Sequence, residues 1–391
     1  MKREAAIVGI GRTTYSRNSG VSTLALAREA TLNALEDAGL AVSDVDGMSS
    51  FAAGNDSVGV HELAYSLGLD GLYYFSDTVG GGNVAAKVVA DAVWAVEAGA
   101  CEVAVVYRAL NSRSGKRFGT YADPVAGRGG PVGGGLHVGG EGQFTAPHGY
   151  MVPGQWFAMW TQRHFQTYGT SNEDLGAIAV QYRAHAANNP HAIARAPITM
   201  EDYHNSRWIM QPFHIYDCAL EADGACALVV TTAERARDLK HRPIKMLGHI
   251  AYTGKAGNND LWDDMTCMYS HFVGPRLWDL TGLKPKDMDL ACLYDCFTYT
   301  ALATTEDFGF CEKGEGGRFY RDGRATYGGD VVVNPHGGLL SEAYIHGLNH
   351  SFEAVAQLRG DADKRQVKDA ELCFVSAGAA AYGSAMILAR G

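Results

Sequence analysis

The chain has 391 residues, 47% of them hydrophobic, more than one ordinary domain core holds, so two packed halves or a domain with a large insertion are expected. Its 43 acidic and 33 basic residues leave a net charge of -10, with no basic stripe to track a nucleic acid and nothing to draw it to an acidic lipid surface. No apolar stretch approaches the ~20 residues of a membrane span, Met1 and Lys2 lead into Ala5–Ile10 without a secretory-type segment, and the eight cysteines and 14 histidines show no CxxC or HExxH spacing, so a reduced, cytoplasmic protein without a metal site is expected.

In chain order, Ala5–Gly11 reads as a buried strand and Ser22–Ala38 as an amphipathic helix stopped by Gly39. Short strands are expected at Asp46–Phe51, Tyr73–Ser76 and Glu102–Tyr107, with a helix over Asn83–Ala98. Strands alternating with helices of this length imply parallel pairing with helices on both faces, an α/β architecture. From Gly127 to Gly154 eleven residues are glycine, so no regular element fits there. Helical periodicity resumes over Gln155–Tyr168 and Asn172–Asn188, a region rich in aromatics such as Trp156, Phe157, Trp160 and Tyr168. Residues 110–215 are therefore read as an insertion over the core.

Strand character returns at Ala225–Thr231 and again at Ile244–Tyr252, where the pattern of the first half restarts. Gly39-Leu40, Asp44 and Asp46 recur as Gly282-Leu283, Asp287 and Asp289, each 243 positions later. Glu102-Val103 likewise resembles Glu371-Leu372. A duplicated unit is expected, residues 1–240 including the insertion and residues 241–391, with one site between the halves.

Asp223-Gly224-Ala225, Tyr294-Asp295-Cys296-Phe297 and Asn334-Pro335-His336-Gly337-Gly338-Leu339 resemble, in order, the SDGA, HDCF and NPSGGL motifs of the thiolase superfamily. The resemblance spans nearly the whole chain and falls in the sterol-carrier or lipid-transfer-protein branch. It implies a thiolase fold of two similar α/β halves in five layers, αβαβα. The departures from the family carry the chemistry. Where a thiolase holds its nucleophilic cysteine as C-x-x-G, this chain has Val79-Gly80-Gly81-Gly82. Tyr294 replaces the HDCF histidine, Tyr344 the histidine of GHP, and Ser376, just before Gly378, the second cysteine. Valine forms no thioester, so covalent acyl transfer is lost while two phenols remain competent to move protons.

Retro-aldol cleavage of a β-hydroxyacyl thioester needs a base on the hydroxyl, stabilisation of the thioester enolate, and an acid for the α-carbon. Tyr294 and Tyr344 can divide these roles. Tyr294 is set near the hydroxyl and Tyr344 near the enolate, while the motifs leave open which is base and which acid. A phenol, with a pKa of about 10, must drop by about 3 units, or ~4 kcal/mol, to act as base near neutrality. The double-tyrosine pattern is similar to that of the lipid-transfer-protein-like steroid side-chain-cleaving aldolases. This resemblance implies cleavage of a 17-hydroxy steroid carrying a short acyl-CoA side chain to a 17-ketone and propionyl-CoA. Coenzyme A is then part of the substrate and no cofactor is needed. It also implies a DUF35 (OB-fold) partner and a homodimer core within a heterotetramer.

The remaining candidates each have a plain and a functional reading. Asp295 orients Tyr294 or caps the helix that follows. Cys296 is a core thiol or the displaced nucleophile of a Claisen thiolase. His336 and His346 are read as loop-bonding residues, and Gly80, Gly81, Gly82 and Gly378 as a turn that brings backbone N–H groups to the thioester oxygen or serves packing alone. Arg113, Lys116 and Arg117 are a solvated charge run or a contact for coenzyme phosphates. A non-catalytic acyl-CoA or sterol carrier is the competing function.

Overall fold

The computed structural model describes residues 3–53, 56–115, 117, 146–150, 152–254 and 262–391; Lys116 and the glycines from 127 to 142 lie outside them. The first strand, β1 (Ala5–Arg12), carries the helix Thr23–Ala38 along it, with Leu26, Ala27, Ala30, Ala34, Leu35 and Ala38 buried on one helical face. Ser22 caps that helix by accepting the Ala25 N–H at 3.2 Å, and Gly39 ends it at φ 71°. The approach is close because Gly9 and Gly11 lack side chains: a Cβ on either would run into the Ala34 or Ala30 carbonyl oxygen.

The other strands are β2 (Gly47–Ala52), β3 (Tyr74–Val79), β4 (Val103–Asn111), β5 (Trp208–Met210), β6 (Phe213–His214), β7 (Asp223–Thr232), β8 (Ile244–Thr253), β9 (Leu290–Cys292), β10 (Val332–Val333), β11 (Leu372–Ala379) and β12 (Tyr382–Arg390). Strands β5 and β6 form a separate hairpin, and the rest pair in the order β10-β9-β11-β12-β8-β1-β7-β4-β2-β3. That order is one five-strand pattern written twice. In β1-β7-β4-β2-β3 and in β8-β12-β11-β9-β10 the first two pairings are antiparallel and the last two parallel. The two fives meet where Ile7 on β1 pairs with Ile244 on β8.

The residues that repeat in the sequence do the same work in each half. Gly39 and Gly282 both end helices in left-handed backbone. Asp44 accepts the Ala41 N–H and Asp287 the Lys284 N–H, each at 2.8 Å. Asp46 accepts the N–H groups of Glu102 and Val103 where β4 begins, as Asp289 accepts those of Glu371 and Leu372 where β11 begins.

The helices Ala85–Glu97 and Leu348–Arg359 each pack against strands of both halves and form the inner layer. Thr23–Ala38 covers β1, β7 and β4, and Ser270–Thr281 covers β8 and β12, as the outer layers. The inserted helices Pro153–Tyr168 and Asn172–Ala187 do not lie on the half that contains them in sequence. Asn172–Ala187 packs on Thr298–Asp307, Gly316–Arg321 and Gly338–Ser341 of the second half, and Trp160, Tyr182, Tyr203 and Phe213 of the inserted segment join that half's aromatic core. The chain then returns alongside the second half's motifs: Ala219 N–H donates to the Cys296 carbonyl at 3.0 Å and Leu220 N–H to that of Leu339 at 2.9 Å.

Replacing Asp46 or Asp289 by alanine strips two strand-leading N–H groups of their acceptor, and each variant is expected to lose ~1–3 kcal/mol in urea unfolding. An unchanged midpoint in both would show these aspartates to be dispensable.

Candidate active site

The matched motifs turn out to be clamps. Asn334, in left-handed backbone at φ 49°, holds the residue after β9 from both sides: its amide donates to the Leu293 carbonyl at 2.9 Å and its oxygen accepts the Leu293 N–H at 2.8 Å. Ser376, on β11, accepts the Tyr294 N–H at 3.0 Å. Asp295 turns the other way. Its carboxylate accepts the N–H groups of Leu339 at 2.9 Å and Leu340 at 3.2 Å and lies 3.2 Å from His350 Nε2. It therefore caps Gly338–Ser341, rather than the helix Thr298–Asp307 that follows it, and ties two motif loops together.

These clamps bring the Tyr294 and Tyr344 hydroxyl oxygens to 2.7 Å, with the rings 64° apart in plane. Tyr344 is fixed from the far side, where its N–H donates to the Leu220 carbonyl at 2.9 Å. Only glycine leaves room for the Tyr294 ring. A Cβ on Gly82 would overlap the Tyr294 hydroxyl, and one on Gly347, at φ 81°, would sit 2.9 Å from its Cδ2. Gly82 belongs to the turn 80–82 after β3, in which Gly81 is at φ 55°. Asn83 docks that turn on the β11–β12 hairpin by donating to the Ala379 and Tyr382 carbonyls at 3.2 and 3.0 Å. Gly378 permits the docking, since a Cβ there would lie 3.0 Å from Asn83 Cα. The glycine turn, Gly378, Ser376 and both tyrosines are thus assembled at one place, while Val79, at the thiolase cysteine position, is 67% exposed at the end of β3.

Burial pushes both phenols well above the usual tyrosine value. On Tyr344 the nearby Cys296 adds to that, whereas the bond from Tyr294 and the Arg108 guanidinium pull the other way. Cys296 is buried, its sulfur 3.8 Å from Thr300 Oγ1, and burial above all pushes its thiol up to about 12. A thiol so raised is not a nucleophile at neutral pH. His346 places Nδ1 2.8 Å from Arg108 Nη2 and stands edge-on to the Tyr344 ring at 5.0 Å. His336 is fully buried, 3.0 Å from His350 Nδ1 and away from the tyrosine hydroxyls' bond.

Of the expected basic cluster, the Arg113 backbone N–H donates to Asp223 at 2.9 Å and the Arg117 side chain pairs with Glu221 at 2.5 Å. Among the described residues Cys267, His271 and Asp307 are close enough together to suit a metal, but Asp307 already pairs with Lys313 at 2.9 Å. Arg108 is the residue that sequence reasoning missed. It is wholly buried and bonds Asp56 and the Phe51 carbonyl as well as His346. One arginine inside the apolar run 103–110 was the available signal.

Replacing Gly82 by alanine forces the Tyr294 hydroxyl off Tyr344, and a misplacement of this size is expected to lower turnover about 100-fold. Thermal unfolding and steady-state kinetics of that variant check it, and unimpaired turnover would detach Gly82 from the site.

The family described as Thiolase C-terminal domain-like matches residues 258–390. A 17-hydroxy-3-oxo-4-pregnene-20-carboxyl-CoA lyase of Mycobacterium tuberculosis is 42% identical, over 98% of this chain and 99% of its own. A steroid side-chain-cleaving aldolase of Thermomonospora curvata is 42% identical, over 98% of this chain and 97% of its own. The solved structure of an Ltp2-ChsH2(DUF35) aldolase superposes with a TM-score of 0.90 at 40% identity, covering 99% of this chain and 98% of that one. With clamped motif loops around a paired-tyrosine site in a doubled five-strand frame, the chain belongs to the thiolase superfamily, in its sterol-carrier-like branch. Within that branch it groups with the aldolases and is a carbon–carbon lyase acting by retro-aldol cleavage.

Proposed function

We propose that the chain cleaves a 17-hydroxy steroid bearing a short acyl-CoA side chain to a 17-keto steroid and propionyl-CoA, with Tyr294 and Tyr344 as its acid/base pair. The 2.7 Å bond between the two hydroxyls carries this reading, and the names of the two relatives at 42% identity supply the substrate class. One proton circuit suffices. The pair reacts in the form short of one proton, which grows in as pH rises because burial holds both phenols up, with a Tyr344 phenolate accepting from Tyr294. As the carbinol proton moves to Tyr294, Tyr294 passes its own to Tyr344. The bond between the carbinol carbon and the α-carbon breaks, leaving the ketone and placing the electron pair in the thioester enolate. Tyr344 then protonates the α-carbon and returns to phenolate. Every proton and electron pair is accounted for without an added oxidant or reductant, and coenzyme A leaves within the product, so this scheme calls for no cofactor. Backbone N–H groups of the turn 80–82 and at Gly378 are the proposed donors to the enolate oxygen.

A Claisen reaction through Cys296 is disfavoured by that thiol's burial and its rise to about 12. The likeness to the Ltp2-ChsH2(DUF35) aldolase supports a DUF35 partner of OB fold. We place a homodimer core, and with the partner a heterotetramer, on β3, the end strand of the sheet, where Phe75 and Val79 and the preceding Tyr73 are exposed. Eight free cysteines suit a reducing cytoplasm, and among the described residues no helix is long and apolar enough to cross a membrane.

Assayed with a co-expressed DUF35 partner on the steroid β-hydroxyacyl-CoA, Tyr294→Phe and Tyr344→Phe are expected to lose about 10²–10⁴ in turnover while the chain stays folded, at a stability cost of about 1–3 kcal/mol for the orphaned hydroxyl. Full turnover in both ends the proposal. Cys296→Ala is expected to stay active, and mass spectrometry during turnover to find no acyl group on Cys296; an adduct there would revive covalent catalysis.

A further inference from the structure

We infer that Arg108 is a positioning residue of the proton circuit: through His346 it fixes a permanent positive charge behind Tyr344, so that Tyr344, rather than Tyr294, is the hydroxyl that gives up its proton. This deepens the reading of the tyrosine pair above and rests on it.

Arg108 sits on β4 with its side chain wholly buried. Its fork is held at three points: Nη1 donates to the Phe51 carbonyl at 2.8 Å, and Nη2 reaches Asp56 at 2.7 Å and His346 Nδ1 at 2.8 Å. The guanidinium also lies over the Phe51 ring, 5.2 Å from its centre. Taking a guanidinium out of water is costly, and three partners from the β2 strand, the loop after it and the far half of the chain fix where it points. Since a guanidinium only donates, the His346 nitrogen that faces it must accept, which makes His346 a neutral imidazole protonated on Nε2. Burial and Arg108 both hold His346 well below the usual histidine value. The pair therefore presents the Tyr344 ring with one fixed cation relayed by one fixed imidazole.

The surroundings of the two phenols are unequal. Tyr344, Cys296 and Asp295 oppose the ionisation of Tyr294 on top of burial. Tyr344 faces burial, Cys296 and Asp56 on that side, but Tyr294 and Arg108 favour its phenolate. Glu221 lies beside the Tyr344 backbone and is paired with Arg117. Asp56 opposes the arginine from further off, its oxygen 4.0 Å from His346 Nδ1 where Arg108 is at 2.8 Å. The cation is the nearer charge.

The alternative is that Arg108 merely clamps the loop after β2, and the pH dependence of kcat/KM in the complex with the DUF35 partner separates the two. Activity requires a phenolate, so it rises with pH through the apparent pKa of the pair, and losing a nearby cation raises that pKa. Arg108→Gln is expected to move the rising limb up by roughly one pH unit, with about a tenfold loss below the limb and recovery above it. Arg108→Lys keeps the charge and leaves the limb in place. Asp56→Asn removes the opposing charge and moves the limb down, and it decides the matter by itself if Arg108→Gln does not fold. A uniform loss with an unmoved limb in the glutamine and asparagine variants overturns the inference and leaves Arg108 a loop clamp. Tyr344→Phe separates the two levels: full turnover in it defeats the tyrosine-pair reading, whereas an inactive Tyr344→Phe beside unmoved limbs defeats the role of Arg108 alone.

Discussion

Two phenolic oxygens 2.7 Å apart inside the protein set the terms for every loop around them. A buried hydroxyl needs a partner, and here each tyrosine is the other's. The arrangement holds only if both rings are delivered from opposite sides into a slot without side chains. Gly82 and Gly347 vacate that slot, Ser376 and Asn334 hold the backbone that carries Tyr294, and the returning segment at Leu220 holds the backbone that carries Tyr344. The rest of the fold brings these pieces, from both halves of the chain, to one point.

That constraint explains why the family motifs and the family chemistry have separated in this chain. Among the motif residues that remain, Asp295 and Asn334 use their side chains to hold the backbone of neighbouring loops and touch no reacting atom in the proposed scheme. They stay useful whatever reaction the pocket runs. Of the residues that differ, Tyr294 and Tyr344 pair their hydroxyls, Ser376 holds the Tyr294 backbone and Val79 stands exposed at the end of β3. A phenol is longer than an imidazole, and that reach brings the Tyr294 hydroxyl over Gly82, in the turn that follows β3.

Much of this was legible because the signals are local. Gly39 and Gly282, Asp44 and Asp287, and Asp46 and Asp289 each act within a turn or at the adjoining strand start, so their recurrence reported a true structural repeat. The helix Thr23–Ala38 was readable for the same reason, with cap, apolar face and stop all within its own span. The part that escaped is non-local. Arg108 meets Asp56 and His346 at separations of 52 and 238 residues, and periodicity cannot announce a bond of that reach. The inserted helices read correctly as helices, yet they settle on the second half because the aromatic surfaces that fit them, around Tyr299 and Phe319, are there.

The meeting of β1 and β8 has one more consequence. Each inner helix is walled by strands from both fives, and in Leu348–Arg359 every residue from Leu348 to Leu358 is buried. Severed between β7 and β8, neither fragment could cover its own inner helix, and each would present an apolar flank to water. A break at that seam therefore uncovers both inner helices at once, so the apolar flank of each half is closed only by the strands of the other.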